Sequence, residues 1–179
     1  MTWRTRASRT VYENRWIHVR EDEVTGPHGD GIYGVVRMQH PAVFVVALDE
    51  SDRVCLVSID RYTVGRSWEV PAGGSDGEEP EAAARRELAE ETGLAAAEWT
   101  ALGGMWALNG IADAPEHVFL ARGLSVAADA AATQREEGID ELAWVPFGEV
   151  LTMIADGRIT DGETIAAVAM AGIRLGRFR

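Results

Sequence analysis

Lysine is absent from this chain of 179 residues; all 17 of its Lys and Arg positions are arginine. Any side-chain cation that meets a phosphate must then be a planar guanidinium fork, since the only other basic side chains are four histidines. Cysteine is nearly as scarce. Cys55 is the only one, which leaves no intrachain disulfide and fits a reducing, cytoplasmic setting. It sits in the apolar run VCLV and reads as a buried core thiol rather than a nucleophile. No apolar run approaches the roughly 20 residues that span a bilayer. No apolar segment follows the first nine residues, MTWRTRASR, so neither a membrane span nor a secretory leader is expected. Those nine residues are expected to fray. Positive charge is outweighed as well: 29 acids against 17 arginines give a net charge of −12. That excludes a nucleic-acid backbone as the main partner, because such a partner needs a basic surface. An acidic protein acting on an anionic substrate needs cations at its site, either arginine or metal.

What is present describes a folded chain. Hydrophobic residues make up 46% and charged residues 26%, as in globular proteins and unlike disordered ones. The length suits one domain with a small N-terminal elaboration. Between residues 10 and 36 two strands are predicted, at 16–24 and 32–37, joined by the Gly/Pro turn GPHGDG. Trp16 and Tyr33 are expected to pack together there. So short a sheet must dock on the main domain or on a second subunit. The near-continuous apolar run AVFVVAL (42–48) predicts a strand buried on both faces, and RVCLVSI (53–59) is expected to return as its hairpin partner. A polar loop with Arg61, Tyr62 and Arg66 precedes a short strand, Trp68-Glu69-Val70. Strand pieces follow at 99–104, 105–108, 116–121 and 142–146, with a loop at 127–138 and helices at 147–155 and 161–173. Mixed strands bracketed by helices predict an α/β sandwich.

The chemistry concentrates in PAGGSDGEEPEAAARRELAEETGL (71–94). A glycine-rich turn leads into a helix that starts near Pro80, where a missing N–H costs nothing, and stops at Gly93. Glu78, Glu79 and Glu81 bring negative charge to the positive end of its dipole. Ala84 and Leu88 form a narrow apolar strip. Glu87, Glu90 and Glu91 fall at i, i+3 and i+4, so they project from one face within about one turn. Three like charges that close repel, and a divalent cation resolves the conflict, because hard cations such as Mg²⁺ take carboxylate oxygens as ligands. Arg61 and Arg66 are candidates for contacts to phosphate or carboxylate, against the alternative of solvated loop arginines.

Residues 73–94 resemble the Nudix box, G-x5-E-x7-R-E-U-x-E-E-x-G-U with U apolar. Glu78, Arg86, Glu87, Leu88, Glu90, Glu91, Gly93 and Leu94 match it, while the turn from Gly73 to Glu78 is one residue short. Further stretches resemble the ADP-ribose pyrophosphatase branch: residues 37–41, AVFVVAL, Arg61-Tyr62, WEVPAGG with its Glu69, and WVPFGEVLTMIADGRITDGETIAA. The resemblance implies a Nudix-type α/β/α sandwich with a mixed sheet over residues 41–179. It also implies a small antiparallel β elaboration over residues 1–40 that joins two subunits into a homodimer. It further implies hydrolysis of a nucleoside diphosphate linked to another moiety with Mg²⁺ or Mn²⁺, ADP-ribose to AMP and ribose 5-phosphate being the leading case. Glu87, Glu90, Glu91 and the Ala72 carbonyl would then hold metal, Glu78 and Arg86 would brace loop and helix, and Arg61, Arg66 and Glu69 would meet the substrate. The general base is expected at Glu116, with Asp113, Glu90, Glu136 and Glu137 as alternatives. Gly110 stands where many ADP-ribose specialists carry proline, which leaves other nucleotide sugars and dinucleotides open. A Nudix-fold sensor that binds without cleaving is the alternative from another class.

Overall fold

In the computed structural model, residues 2–127, 134–136 and 138–178 are described. The loop expected at 127–138 lies largely outside them, as does Glu137. Three sheets carry the chain. The N-terminal sheet runs β1 (Arg4–Glu13), β2 (Ile17–Gly26), β3 (Gly29–Met38) and the two-residue β9 (Ala112–Asp113), in that order. The central sheet has the order β7 (Ala72–Gly74), β4 (Ala42–Ala47), β10 (Pro115–Val126), β8 (Leu94–Trp106). The third joins β11 (Ile139–Pro146), β5 (Arg53–Arg61) and β6 (Gly65–Glu69). Among the described residues the longer helices are α1 (Pro80–Thr92), α2 (Phe147–Ala155) and α3 (Gly162–Arg174), and residues 134–136, within the expected loop, are helical as well.

The central sheet is mixed: β10 runs parallel to β4 and antiparallel to β8. Alternation along β4 divides its side chains between two cores. Val43, Val45 and Ala47 pack with Ala83, Ala84 and Leu88 of α1, whereas Val46 and Leu48 pack with Val150 and Met153 of α2 and Ala167, Val168 and Ala171 of α3. The run is apolar throughout because both faces are covered. Helix α1 starts at Pro80 and ends with Gly93 in the left-handed conformation, φ 72°, so both of its expected boundaries hold.

Three expectations need correction. Residues 4–9 do not fray: β1 pairs with β2 along its length. Its polar side chains gave no alternating signal, and the strand is held by its main-chain ladder with Arg6–Asp30 and Arg9–Glu21 ion pairs across the sheet. Tyr33 packs on Trp3 rather than Trp16, edge-on with centroids 5.7 Å apart. Trp16 lies instead beneath the Arg15 guanidinium, 4.0 Å from its ring centroid. Finally, β4 and β5 do not form a hairpin. They meet at one bridge, Leu48–Val54, and then diverge into different sheets. Two strands buried on both faces carry no periodicity that says which neighbour each will take.

Candidate active site

Strand β7 brings the glycine turn beside β4. Across the central sheet Gly74, Ala42 and Glu116 stand in one register row. Neighbouring strands are about 4.8 Å apart, so Gly74 and Glu116 are separated by about 10 Å of main chain. The short turn after Gly74 closes through left-handed residues, Asp76 at φ 49° and Gly77 at φ 86°. The Glu78 N–H donates to the Ser75 carbonyl at 2.8 Å, so the deleted residue is absorbed before the helix begins.

Gly73 faces α1. A Cβ there would come within 3.0 Å of the Glu87 carboxylate, so only glycine lets this acid lie against the loop. Arg86 binds the assembly together. Its Nε donates to Glu78 at 3.0 Å, one Nη to Glu87 at 2.8 Å and to Glu90 at 2.9 Å, and the other Nη to the Gly74 carbonyl at 2.8 Å. Partial burial opposes the Arg86 charge, but the bonds to Glu78 and Glu90 and the nearby Glu87 outweigh it and raise its pKa above the usual arginine range. Glu91, buried, accepts the Ala72 N–H at 3.0 Å. The sequence-predicted cluster is therefore one physical unit. Its donor set of carboxylates and loop carbonyls is all oxygen, which fits a hard divalent cation. Among the described residues no three acidic, His or Cys side chains yet converge on one point, because Arg86 draws Glu87 and Glu90 onto its own N–H groups.

Beneath this unit lies Cys55. Burial, and then the Glu91 charge, push its thiol up to about 12, so it is inert, as its apolar surroundings suggested.

The opposite face of the sheet, toward α3, holds a second acidic group. Glu116 is 7% exposed. Its Oε2 is buried with no hydrogen-bond partner among the described residues. Burial first, then the charges of Glu163 and Asp161, raise its pKa to about 7. Asp161 caps α3 by accepting the Thr164 N–H at 2.7 Å. Glu163 is also shifted upward, by burial and by Asp161 and Glu69. Arg61 grips Glu69 through three bonds of 2.6–3.2 Å, and this pair lines a cavity of about 670 Å³ with Asp161 and Glu163. Arg66 stands apart: it is exposed and pairs with Asp140 at 2.6 Å. Asp113 pairs with Arg37 at 3.5 Å.

Two further cavities adjoin this one at Met38. One, of about 390 Å³, is lined by Glu116, Glu163, His40 and apolar residues. The other, of about 570 Å³, is lined by Arg15, Trp16, His40, Gly74 and Asp76. Sequence reasoning missed Arg15, Met38, His40, Asp161 and Glu163 as site residues. Only Asp161 and Glu163 carried a local signal, as acids at a helix start, and that signal says nothing about a cavity.

Comparison with known proteins gives consistent matches. The family model described as NUDIX domain matches residues 38–168, and that described as nucleoside diphosphate sugar hydrolase N-terminal domain matches residues 3–36. The chain is 34% identical over 172 residues to the ADP-ribose pyrophosphatase of Mycobacterium tuberculosis, covering 94% of this chain and 80% of that one. It is 30% identical over 177 residues to the CMP-5'-(N-acetyl-N-hydroxy-3-aminopropyl)phosphonate hydrolase of Streptomyces rubellomurinus, covering 97% and 84% respectively. A solved structure described as an ADP compounds hydrolase superposes with a TM-score of 0.85 at 19% identity, over 99% of this chain and 96% of that one. At that identity the superposition speaks to the fold.

Proposed function

The chain belongs to the NUDIX domain family and is a Nudix pyrophosphohydrolase, and from that premise we propose that it hydrolyses ADP-ribose to AMP and ribose 5-phosphate. Water adds to one phosphorus of the diphosphate, the P–O–P anhydride bond breaks, and a proton is released. Nudix hydrolases are generally dependent on a divalent metal, and for this chain we propose Mg²⁺ or Mn²⁺. The observation that carries the reading is the state of the site's arginines. Arg86 is committed to three glutamates, Arg61 to Glu69 and Arg66 to Asp140. Among the described arginines lining the cavities, Arg15 alone lacks a carboxylate partner. A diphosphate entering so acidic a cleft needs more positive charge than that, and bound metal supplies it.

Glu87, Glu90, Glu91 and the Ala72 carbonyl are the groups that would hold the ion. When bound, such an ion neutralises phosphate oxygens and lowers the pKa of water. The rest falls to the chain. Arg86 and Glu78 fix α1 against the glycine turn and keep Glu87 and Glu90 gathered around one cation. Glu116 is the proposed general base. Its proton affinity near neutrality suits that task, and two of its rivals, Asp113 and Glu90, are each held by an arginine. Arg61 and Glu69 form a rigid pair whose remaining donors and acceptors face the substrate. Arg66, at the surface, serves only if the substrate reaches beyond the Arg61 cavity.

ADP-ribose is favoured over other diphosphates by the activity for which the Mycobacterium relative is named; the Streptomyces relative, named for a CMP-linked phosphonate, keeps that choice open to test. Exposed Trp3, Val11, Tyr12, Trp16 and Ile32 on the N-terminal sheet support the further proposal that residues 1–40 pair two chains into a homodimer, residues 41–179 forming the hydrolase domain. A panel of ADP-ribose, nucleotide sugars and dinucleoside diphosphates, assayed with Mg²⁺ and with Mn²⁺ by phosphate release after phosphatase coupling, tests the activity. ADP-ribose should turn over fastest. Tight nucleotide binding without turnover of any compound would make the chain a sensor instead. Light scattering on the same preparation at micromolar concentration should give twice the chain mass.

A further inference from the structure

The chain crosses from the third sheet to the central one in two residues. Glu69 closes β6, paired with Val57 of β5, and Ala72 opens β7, paired with Phe44 of β4. Val70 and Pro71, between them, lie outside both strands. Pro71 has no N–H to give, and its carbonyl accepts the Val45 N–H at 2.9 Å. Val70 is only 1% exposed, and its N–H is met by a side chain instead of a ladder. Thr164 of α3 accepts it on Oγ1 at 3.1 Å, from 94 positions further along the chain. Thr164 is itself 1% exposed. Its own N–H donates to Asp161, the cap of the helix, at 2.7 Å, which holds the residue at the helix start. Two residues beyond Val70, the Ala72 N–H donates to Glu91 of α1 at 3.0 Å. Three hydrogen bonds thus run in series from the start of α3, through the crossing, to the acidic face of α1. A buried N–H left without an acceptor is costly, so the bond to Thr164 fixes the path of the crossing.

We propose that Thr164 is a positioning residue for the divalent cation: its hydroxyl holds the crossing in the line on which the Ala72 carbonyl can share an ion with Glu87, Glu90 and Glu91. This rests on the reading of Ala72 as a group that holds metal, and it adds a residue that lines none of the three cavities. A main-chain carbonyl has no rotamer of its own, so its direction follows from the chain on either side. After Ala72 that chain is held by the pairing of Gly73 and Gly74 with β4. Before it, the side chain of Thr164 does the holding, from the opposite face of the sheet. A group that orients a metal ligand from behind is typically worth about 10- to 100-fold in metal affinity.

Thr164→Val keeps the shape of the side chain and the N–H that Asp161 caps, and removes the acceptor. The calorimetric dissociation constant for Mg²⁺, measured on the full chain without nucleotide, should rise about 10-fold. Thr164→Ser restores the hydroxyl and should bind Mg²⁺ as the native protein does. Val168→Ala, on the same helix and fully buried, loosens the core without touching the bond. It should melt earlier yet keep the native constant. Native affinity in Thr164→Val overturns the proposal. So does an equal loss in Thr164→Ser or Val168→Ala, which would make the effect one of packing. If the native chain binds neither Mg²⁺ nor Mn²⁺, the metal reading fails, and amide hydrogen exchange decides the positioning role by itself. Thr164→Val should then speed exchange at Val70 and Ala72 and not elsewhere in the sheets, whereas unchanged or uniformly faster exchange overturns it.

Discussion

Two groups of carboxylates sit on opposite faces of one sheet, and they differ in what each acid faces. On the α1 side Glu78, Glu87 and Glu90 surround Arg86, and Glu91 takes a main-chain N–H. On the α3 side Glu116, Asp161 and Glu163 face one another, and the local arginine is tied to Glu69. The first group is satisfied before any ligand arrives, so an incoming cation must draw Glu87 and Glu90 away from Arg86. In the second, one oxygen of Glu116 has no partner among the described residues, and Glu116 and Glu163 hold their protons more tightly than usual. One set of acids is built to exchange an internal cation for an external one, the other to hold a desolvated carboxyl, that of Glu116, near the point where it takes up a proton.

The largest expected effect separates the two faces outright. Glu91→Gln removes an anionic oxygen from the proposed metal site while keeping the bond from the Ala72 N–H. Turnover should fall on the order of 1,000-fold, since metal stabilisation of the transition state is worth several kcal/mol, and the circular-dichroism melt should remain cooperative. Near-native turnover would remove Glu91 from the metal site. Next, Arg86→Gln leaves Glu87 and Glu90 without their shared cation. Arg86 is partly solvated, its side chain 28% exposed, so the cost in stability should be about 2 kcal/mol, below that of a fully buried pair. Denaturant midpoints should show this loss with a chelator present and a smaller one in millimolar Mg²⁺. An equal loss in both conditions would mean that arginine and metal do not share these acids.

The smallest effect on stability belongs to the α3 face. Glu116 binds its proton up to about pH 7 in the folded chain, whereas the unfolded chain releases it near pH 4.5. Between those values the folded state carries more protons, so this residue makes stability fall as pH rises. Glu116→Gln should therefore match the native protein below pH 4.5 and exceed its stability by about 1 kcal/mol above pH 7, after allowance for solvent relaxation around the carboxyl. The variant should also lose the limb of kcat/KM near pH 7 expected of a general base. Parallel stability curves would place Glu116 in a polar rather than a desolvated setting.

How legible all this was depended on whether the information was local. Helix α1 could be read to the residue because Pro80 and Gly93 mark its ends and the acids share one face. Strand β1 was illegible because its residues are polar on both faces and its order comes from β2. The pairing of β4 and β5 was misjudged because two doubly buried strands look alike to every possible partner. The site divides in the same way. Glu78, Arg86, Glu87, Glu90 and Glu91 lie within 14 residues of one another and were found together. Glu163 and His40 reach Glu116 only through packing of α3 and the end of β3 against the central sheet, which no spacing in the sequence encodes.

The register row through Gly74, Ala42 and Glu116 has one more consequence. The interval between the two ends of the cleft is set by main-chain hydrogen bonds across β7, β4 and β10, not by loops or side-chain rotamers. It acts as a caliper with locked jaws. Substitutions can alter what each jaw grips, and so change the chemical nature of an acceptable substrate, but they leave the opening as wide as two strands of a sheet. New specificities on this scaffold are therefore open to change in chemical character far more than in length.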